Sequence, residues 1–153
     1  MELGVIGLGR MGRIVVDRTL AAGHDVVAYD IDADAVADAA DAGATPADSI
    51  PDVAARLDGD RRIWLMVPAG DPVDAALAEL EPHLDADDVV VDGGNSHFAD
   101  SVRRAEETDA AYLDCGTSGG PAGADLGFSL MVGGPGWAYD ELVPVFDAVA
   151  TGP

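Results

Sequence analysis

The sequence contains no lysine, and its basic side chains are eight arginines set against 29 acidic residues, for a formal charge of −21. A chain so short of positive charge offers no basic face to a nucleic-acid backbone and none to an anionic membrane surface. It has one cysteine, Cys115, so no internal disulfide can form. No run of 18 apolar residues occurs, which excludes a membrane-spanning helix. No basic stretch opens the chain: Glu2 follows Met1, and strand-like residues begin at Leu3, so the pattern of a signal peptide is missing. A single thiol and no leader make a cytoplasmic location the simplest reading.

What is present is enough for one domain. The chain has 153 residues, 48% of them hydrophobic, and a mean hydropathy of +0.14, too apolar for a disordered acidic tail. Of the 29 acids, 23 are aspartate. Two readings account for that bias. One is a surface adapted to a salty cytoplasm, where a Debye length of about 3 Å at 1 M salt screens self-repulsion. The other is codon bias toward Asp, Arg, Ala and Gly.

Apolar strand-like runs alternate with Ala-rich helical stretches, the pattern of an α/β fold with a mainly parallel, doubly wound sheet. Strands are expected at Leu3 to Ile6, Val26 to Tyr29, Ile63 to Val67, Val89 to Asp92, Ala111 to Asp114 and Phe128 to Val132. The first helix carries Met11, Ile14, Val15 and Ala22 at helical spacing and stops at Gly23. Others are expected from Asp32 or Asp34 to about Gly43, and over Asp48 to Leu57, Pro72 to Leu80, Phe98 to Thr108 and Trp137 to Ala148. The tail, Ala150 to Pro153, shows no cap or closing element, which predicts a chain that continues.

Three glycine-containing turns follow strands. In Gly7-Leu8-Gly9-Arg10-Met11-Gly12, the first glycine permits a tight turn, the second admits a pyrophosphate to the backbone, and the third lets helix and strand pack closely. Asp30 ends the second strand 18 residues past Gly12, where a ribose hydroxyl needs a carboxylate. Arg10 can reach a phosphate or simply face solvent. Asp92-Gly93-Gly94-Asn95-Ser96-His97 lies at the end of a buried strand. There Asn95 offers donor and acceptor to a ligand, or Asn95 or Ser96 caps the next helix. His97 is read as a surface or capping residue. In Asp114 to Pro121, Ser118 with Gly119 and Gly120 forms either an anion nest or an ordinary loop. Cys115 is read as a small buried residue. No His/Cys/Asp spacing suggests a metal site.

Together GLGRMG at Gly7 to Gly12, MVPAG at Met66 to Gly70, DGGNSHFADSVRR at Asp92 to Arg104, and DCGTSGGPAGADLGFSLMVGG at Asp114 to Gly134 resemble the 6-phosphogluconate dehydrogenase family. Related β-hydroxyacid dehydrogenases share the first turn but replace GGNS; a non-catalytic dinucleotide-binding module is the other alternative. The resemblance implies a Rossmann-type domain over residues 1–153, followed by an all-helical domain that completes the substrate pocket and a homo-oligomer. It implies cofactor contacts at Gly7, Leu8, Gly9, Arg10, Met11 and Gly12, at Asp30, Ile31 and Asp32, and at Val67, Pro68, Ala69 and Asn95. Contacts to a phosphorylated sugar acid are implied at Asn95, Ser118, Gly119 and Gly120. The family reaction is oxidative decarboxylation of 6-phosphogluconate to ribulose 5-phosphate. Its general base, a lysine, and its general acid, a glutamate, lie in a KxxHNxxE stretch downstream of everything matched here, so no catalytic residue falls in this chain. NADP-dependent members carry an Asn-Arg-Thr run where this chain has Asp30-Ile31-Asp32, and often a Lys where it has Pro68. NAD is therefore the expected cofactor rather than NADP.

The charge pattern makes a prediction of its own. If self-repulsion opposes the compact state, the urea midpoint of the chain rises between dilute buffer and molar KCl; a flat response assigns the aspartates to codon bias.

Overall fold

The computed structural model describes residues 1–119 and 122–152. Its strands are β1 (Glu2–Ile6), β2 (Asp25–Tyr29), β3 (Thr45–Pro46), β4 (Arg62–Leu65), β5 (Val89–Asp92), β6 (Ala111–Ser118) and β7 (Ser129–Gly133). They form one sheet in the order β3-β2-β1-β4-β5-β6-β7, parallel except for the antiparallel pairing of β6 with β7. Strand order reverses between β1 and β4, which are hydrogen-bonded neighbours. Beyond the carboxyl ends of two such strands the connections diverge to opposite faces and leave a crevice.

The helices are α1 (Arg10–Ala21), α2 (Ala33–Asp41), α3 (Ile50–Arg56), α4 (Asp71–Leu80), α5 (Phe98–Glu107), α6 (Gly123–Leu126) and α7 (Gly136–Val149). Two apolar layers sandwich the sheet. On one face Leu3, Val5 and Trp64 pack with Ile14 and Val15 of α1 and with Leu142 and Val145 of α7. On the other Ile63, Leu65 and Val90 pack with Val53 of α3 and with Val73, Leu77 and Leu80 of α4. Val89, Val90 and Val91 are all fully buried, because successive residues of a central parallel strand face alternate layers and both are covered.

The expected elements are present, with differences at their ends. The strand expected to end at Val67 stops at Leu65, although the Met66 N–H still reaches the Ile6 carbonyl at 2.7 Å. Strand β6 runs four residues past Asp114 because β7 pairs with its extended end. The two-residue β3 and the single turn of α6 carry no periodic signal long enough to read. The helix expected from Asp48 begins at Ile50, where the Ser49 hydroxyl accepts the Asp52 N–H. Past α7 the backbone pairs with Phe128: the Phe128 N–H donates to Val149 O at 2.9 Å and the Thr151 N–H to Phe128 O at 2.8 Å.

Arg18 of α1 fastens the end of α7. Its Nε donates to the Ala148 carbonyl at 3.0 Å and an Nη to that of Ala150 at 3.3 Å, supplying donors where a helix leaves its last carbonyls unpaired. Replacing it by methionine keeps much of the apolar stem and removes both bonds. Arg18→Met is expected to lower unfolding free energy by about 1–2 kcal/mol in a urea titration; an unchanged midpoint means that water serves those carbonyls equally well.

Candidate functional site

A cleft of about 740 Å³ opens at the crevice between the ends of β1 and β4, within the size range of small-molecule sites. Its floor is the turn from β1 into α1. Gly7 has φ +99°, and a Cβ there would press on the Met66 backbone. A Cβ on Gly12 would overlap the Gly7 carbonyl oxygen. Gly9 differs from both: nothing lies within 4 Å of where its Cβ would stand, and its backbone is extended at φ −61°. Gly7 and Gly12 are thus glycine because the protein packs there, whereas Gly9 borders open space in the cleft.

Helix α1 starts at this turn with no side chain capping it. Its first N–H groups and the positive end of its dipole face the cleft region unneutralised. Arg10 lines the cleft as well. Among the described residues the other seven arginines donate to a carboxylate or a backbone carbonyl, and Arg10 has neither partner.

The end of β2 forms one side wall. Both Asp30 oxygens are engaged: Oδ2 accepts the Leu8 N–H at 2.6 Å and Oδ1 the Asp32 N–H at 2.8 Å. Asp30 therefore braces the glycine turn against β2, a task its position in the sequence did not announce. A carboxylate can accept about four hydrogen bonds, so capacity for two more is left. Ile31 is 94% exposed at the rim, and Asp32 caps α2 by accepting the Asp34 N–H. Ile50 of α3 and Pro72, Ala75 and Glu79 of α4 also line the cleft; topology alone brings them there, and no sequence pattern marks them.

The opposite wall comes from the turns after β4 and β5. Met66, Val67 and Pro68 line it together with Gly93, Gly94 and Asn95. Asn95 is the one non-glycine residue at positive φ, +56°, among the described residues. It holds that conformation by a double bond to β6: Oδ1 accepts the Thr117 N–H at 3.0 Å and Nδ2 donates to the Thr117 carbonyl at 3.3 Å. Neither Asn95 nor Ser96 caps α5. His97 does, its Nδ1 accepting the Ala99 N–H at 3.2 Å while its ring stacks on Phe98, as the capping reading of His97 expected.

Of the residues singled out from sequence, Leu8, Asp32 and Ala69 lie beside the cleft lining rather than in it. Ser118 closes β6 opposite Ser129, exposed, and Gly119 follows at φ +135°. Gly120 is outside the described residues. Cys115 is fully buried, and burial pushes its thiol pKa up to about 12, which leaves it inert as a nucleophile.

The sequence reading passed over the buried polar cluster behind this wall. Asp92 is fully buried, yet it accepts the Gly94 N–H at 2.9 Å and the hydroxyls of Ser96 and Tyr112, each at 2.5 Å. Tyr112 is pushed to a pKa well above its usual value, first by burial and then by Asp92, so its proton stays in place. Arg104 joins the cluster from α5. One signal was available. The stretch from Phe98 to Glu107 has no stripe of buried aliphatics, and what it buries is Ser101 and Arg104 while Phe98 and Val102 face out.

The three glycines of the first turn give separable mutants. Gly12→Ala is expected to destabilise by several kcal/mol, since backbone must move to relieve the overlap. Gly9→Ala is expected to melt within about 0.5 kcal/mol of the parent chain. Thermal unfolding of both checks the assignment; equal losses would refute it.

Residues 2–152 match the family described as the NAD binding domain of 6-phosphogluconate dehydrogenase. The chain is 79% identical, over all 153 residues, to half (51%) of a Haloferax volcanii protein named 6-phosphogluconate dehydrogenase, NAD(+)-dependent, decarboxylating. Among solved structures it resembles Plasmodium falciparum 6-phosphogluconate dehydrogenase, with TM-score 0.88 and 28% identity over 99% of this chain and 34% of that one. It also resembles Mycobacterium tuberculosis 3-hydroxyisobutyrate dehydrogenase, with TM-score 0.89 and 26% identity over 99% and 52%. The chain thus spans about half the length of the archaeal relative and about a third of longer ones. By the family match across nearly its full length, by the seven-stranded sheet and by the glycine turn at its switch point, the chain belongs to the NAD-binding domains of the 6-phosphogluconate dehydrogenase family.

Proposed function

We propose that the cleft holds NAD and that the chain forms the cofactor half of a decarboxylating 6-phosphogluconate dehydrogenase acting in the cytoplasm. The observation that carries this reading is the uncapped start of α1 beside the open space at Gly9, with the unpaired Arg10 at its mouth. A protein of charge −21 repels a diphosphate almost everywhere. Here backbone N–H groups, a helix dipole and one uncommitted guanidinium meet where the backbone is bare, and a pyrophosphate fits that donor set.

The other contacts follow from the walls. Asp30 accepts from the adenosine ribose with its remaining lone pairs, beside Ile31 and Asp32. Leu8 and Met11 frame the phosphates, and Val67, Pro68, Ala69 and Asn95 border the far half of the dinucleotide. Bound there, the cofactor supplies the hydride acceptor. After its two bonds to Thr117, Asn95 keeps one amide N–H for a ligand. Ser118, Gly119 and Gly120 follow β6 on that side and are assigned to the sugar acid.

No lysine is available in these 153 residues to take the proton from a substrate hydroxyl. We assign that step to residues outside them, in a helical domain that also closes the pocket and pairs the subunits. General acid–base help is worth roughly 10²–10⁴-fold, and substrate positioning is lost as well, so the isolated chain binds cofactor without turnover.

Cofactor choice is set at the end of β2. A 2′-phosphate would lie beside Asp30, with Asp32 and Asp34 close by in the chain, and it meets Ile31 where a cation is needed. A charge-assisted bond is worth about 1.5–3 kcal/mol, so its absence alone gives a preference above tenfold. Titrating the chain with each cofactor in molar KCl is expected to show NAD binding at least tenfold tighter, and tighter NADP binding would contradict the proposal. Because Asp30 also braces Leu8, Ile31→Arg alone is the clean probe, expected to shift preference toward NADP. Gly9→Val is expected to lose NAD while keeping its fold. Steady cofactor reduction by the chain with 6-phosphogluconate would overturn the assignment of proton transfer.

A further inference from the structure

Behind the β4–β5 wall of the cleft, Arg104 is 1% exposed and uses all three guanidinium nitrogens in different directions. Its Nε donates to Asp74 of α4 at 2.8 Å, one Nη to the Ser96 hydroxyl at 2.9 Å, and the other to the Gly70 carbonyl at 3.2 Å. The Nη beside Ser96 also lies 3.6 Å from Asp92. Burial is the largest effect on Arg104 and works against its charge, yet Asp74 and Tyr112 together raise its pKa above the ordinary value. Asp74 is shifted the opposite way, chiefly by Arg104.

Stability is a poor explanation for this arrangement, because well-packed apolar residues generally do as well as a buried ion pair. The destinations of the bonds are more informative. Gly70 ends the turn that carries Val67, Pro68 and Ala69, and Asp74 lies one turn into the helix that follows. Ser96 lies in the turn that carries the left-handed Asn95, and Asp92 is the last residue of β5, where that turn begins. Among the described residues, the side-chain partners of Arg104 divide between the turn after β4 with the start of α4, through Gly70 and Asp74, and the end of β5 with the turn after it, through Asp92 and Ser96.

We propose that Arg104 is a positioning residue that fixes the turn after β4 and the turn after β5 relative to each other, and so shapes the half of the cleft opposite Asp30. The proposal rests on the dinucleotide reading of the cleft. A guanidinium suits the task because its planar fork fixes three partners at set angles, which an ammonium on a flexible stem cannot do. Among the described residues no hydrogen bond or ion pair joins the glycine turn or Asp30 to Arg104 and its partners, and the glycine turn lies against Met66 at the head of the β4 turn, so the adenosine and pyrophosphate contacts are expected to change less than those of the other half.

The test compares two ligands on the full chain. ADP reports the adenosine and pyrophosphate side, and NAD reports both halves. Arg104→Met is expected to raise the Kd for NAD at least tenfold while the Kd for ADP changes less than twofold, with Arg104→Lys in between. Parallel weakening of both ligands, or of neither, would overturn the proposal. If Arg104→Met does not fold, Asp74→Asn and Ser96→Ala each remove one arm and are expected to show the same split at about threefold; parallel loss there counts against it equally.

Amide hydrogen exchange without ligand supplies an independent readout. In the Arg104 variant, or in the single-arm variants, residues 67–70 and 93–97 are expected to exchange faster together, while acceleration confined to α5 assigns Arg104 to packing and refutes the proposal. Failure of the dinucleotide reading looks different: the parent chain then binds neither ligand, while the two turns still loosen together.

Discussion

Helix α1 starts where β1 ends, and the two can meet there only because Gly12 sets no side chain against the Gly7 carbonyl. That close approach orders much of what surrounds it. It brings the unpaired N–H groups of the helix to the carboxyl edge of the sheet, at the point where strand order reverses. It lets Ile14 and Val15 seal one face of the sheet, and it leaves Gly9 on the open side with nothing above it. The Asp30 carboxylate then fixes the turn from below through Leu8. One steric condition is met here by two glycines, while the third borders open space in the cleft.

Charge is partitioned as strictly as volume. With eight arginines and 29 acids, every cation is scarce, and all but one are spent on holding the chain together. Arg18 serves the end of α7, Arg61 and Arg62 the start of β4, and Arg104 the buried junction of β5, α4 and α5. Among the described residues Arg10 alone has no carboxylate or carbonyl partner, and it lines the cleft. The absence of lysine sharpens the same point. The proposed anion site relies on backbone and dipole, and no lysine side chain is present to act as a base.

The alternation of strand and helix was legible in the sequence because central parallel strands are unbroken apolar runs and α1 has clear helical spacing. The placing of the glycine turn between a strand and a helix, and of Asp30 at the end of the second strand, was legible from their spacing. Other features were not. Ile50 and Glu79 reach the cleft through topology, which no local pattern encodes. Arg104 was not singled out and Asp92 was read only as a strand-end residue, since burial of a charge depends on partners from other elements, such as Asp74 for Arg104 and Tyr112 for Asp92. The bracing task of Asp30 was hidden for a related reason: a carboxylate that holds a loop and one proposed to accept from a ribose have the same sequence signature. His97 was the reverse case, its plain capping role correctly inferred from its place just before a helix.

The central claim is that one ligand lies across the switch point, from Asp30 on one side to Asn95 on the other. Titrating the isotopically labelled chain with NAD, and following backbone amide resonances, tests that span most directly. The account predicts saturable shifts at Gly9 to Met11, at Asp30 to Asp32, and at Val67, Ala69 and Asn95, with α7 and the β7 edge unmoved. Shifts centred on β7 or α7, or none at these three groups when NAD is in excess, would contradict it.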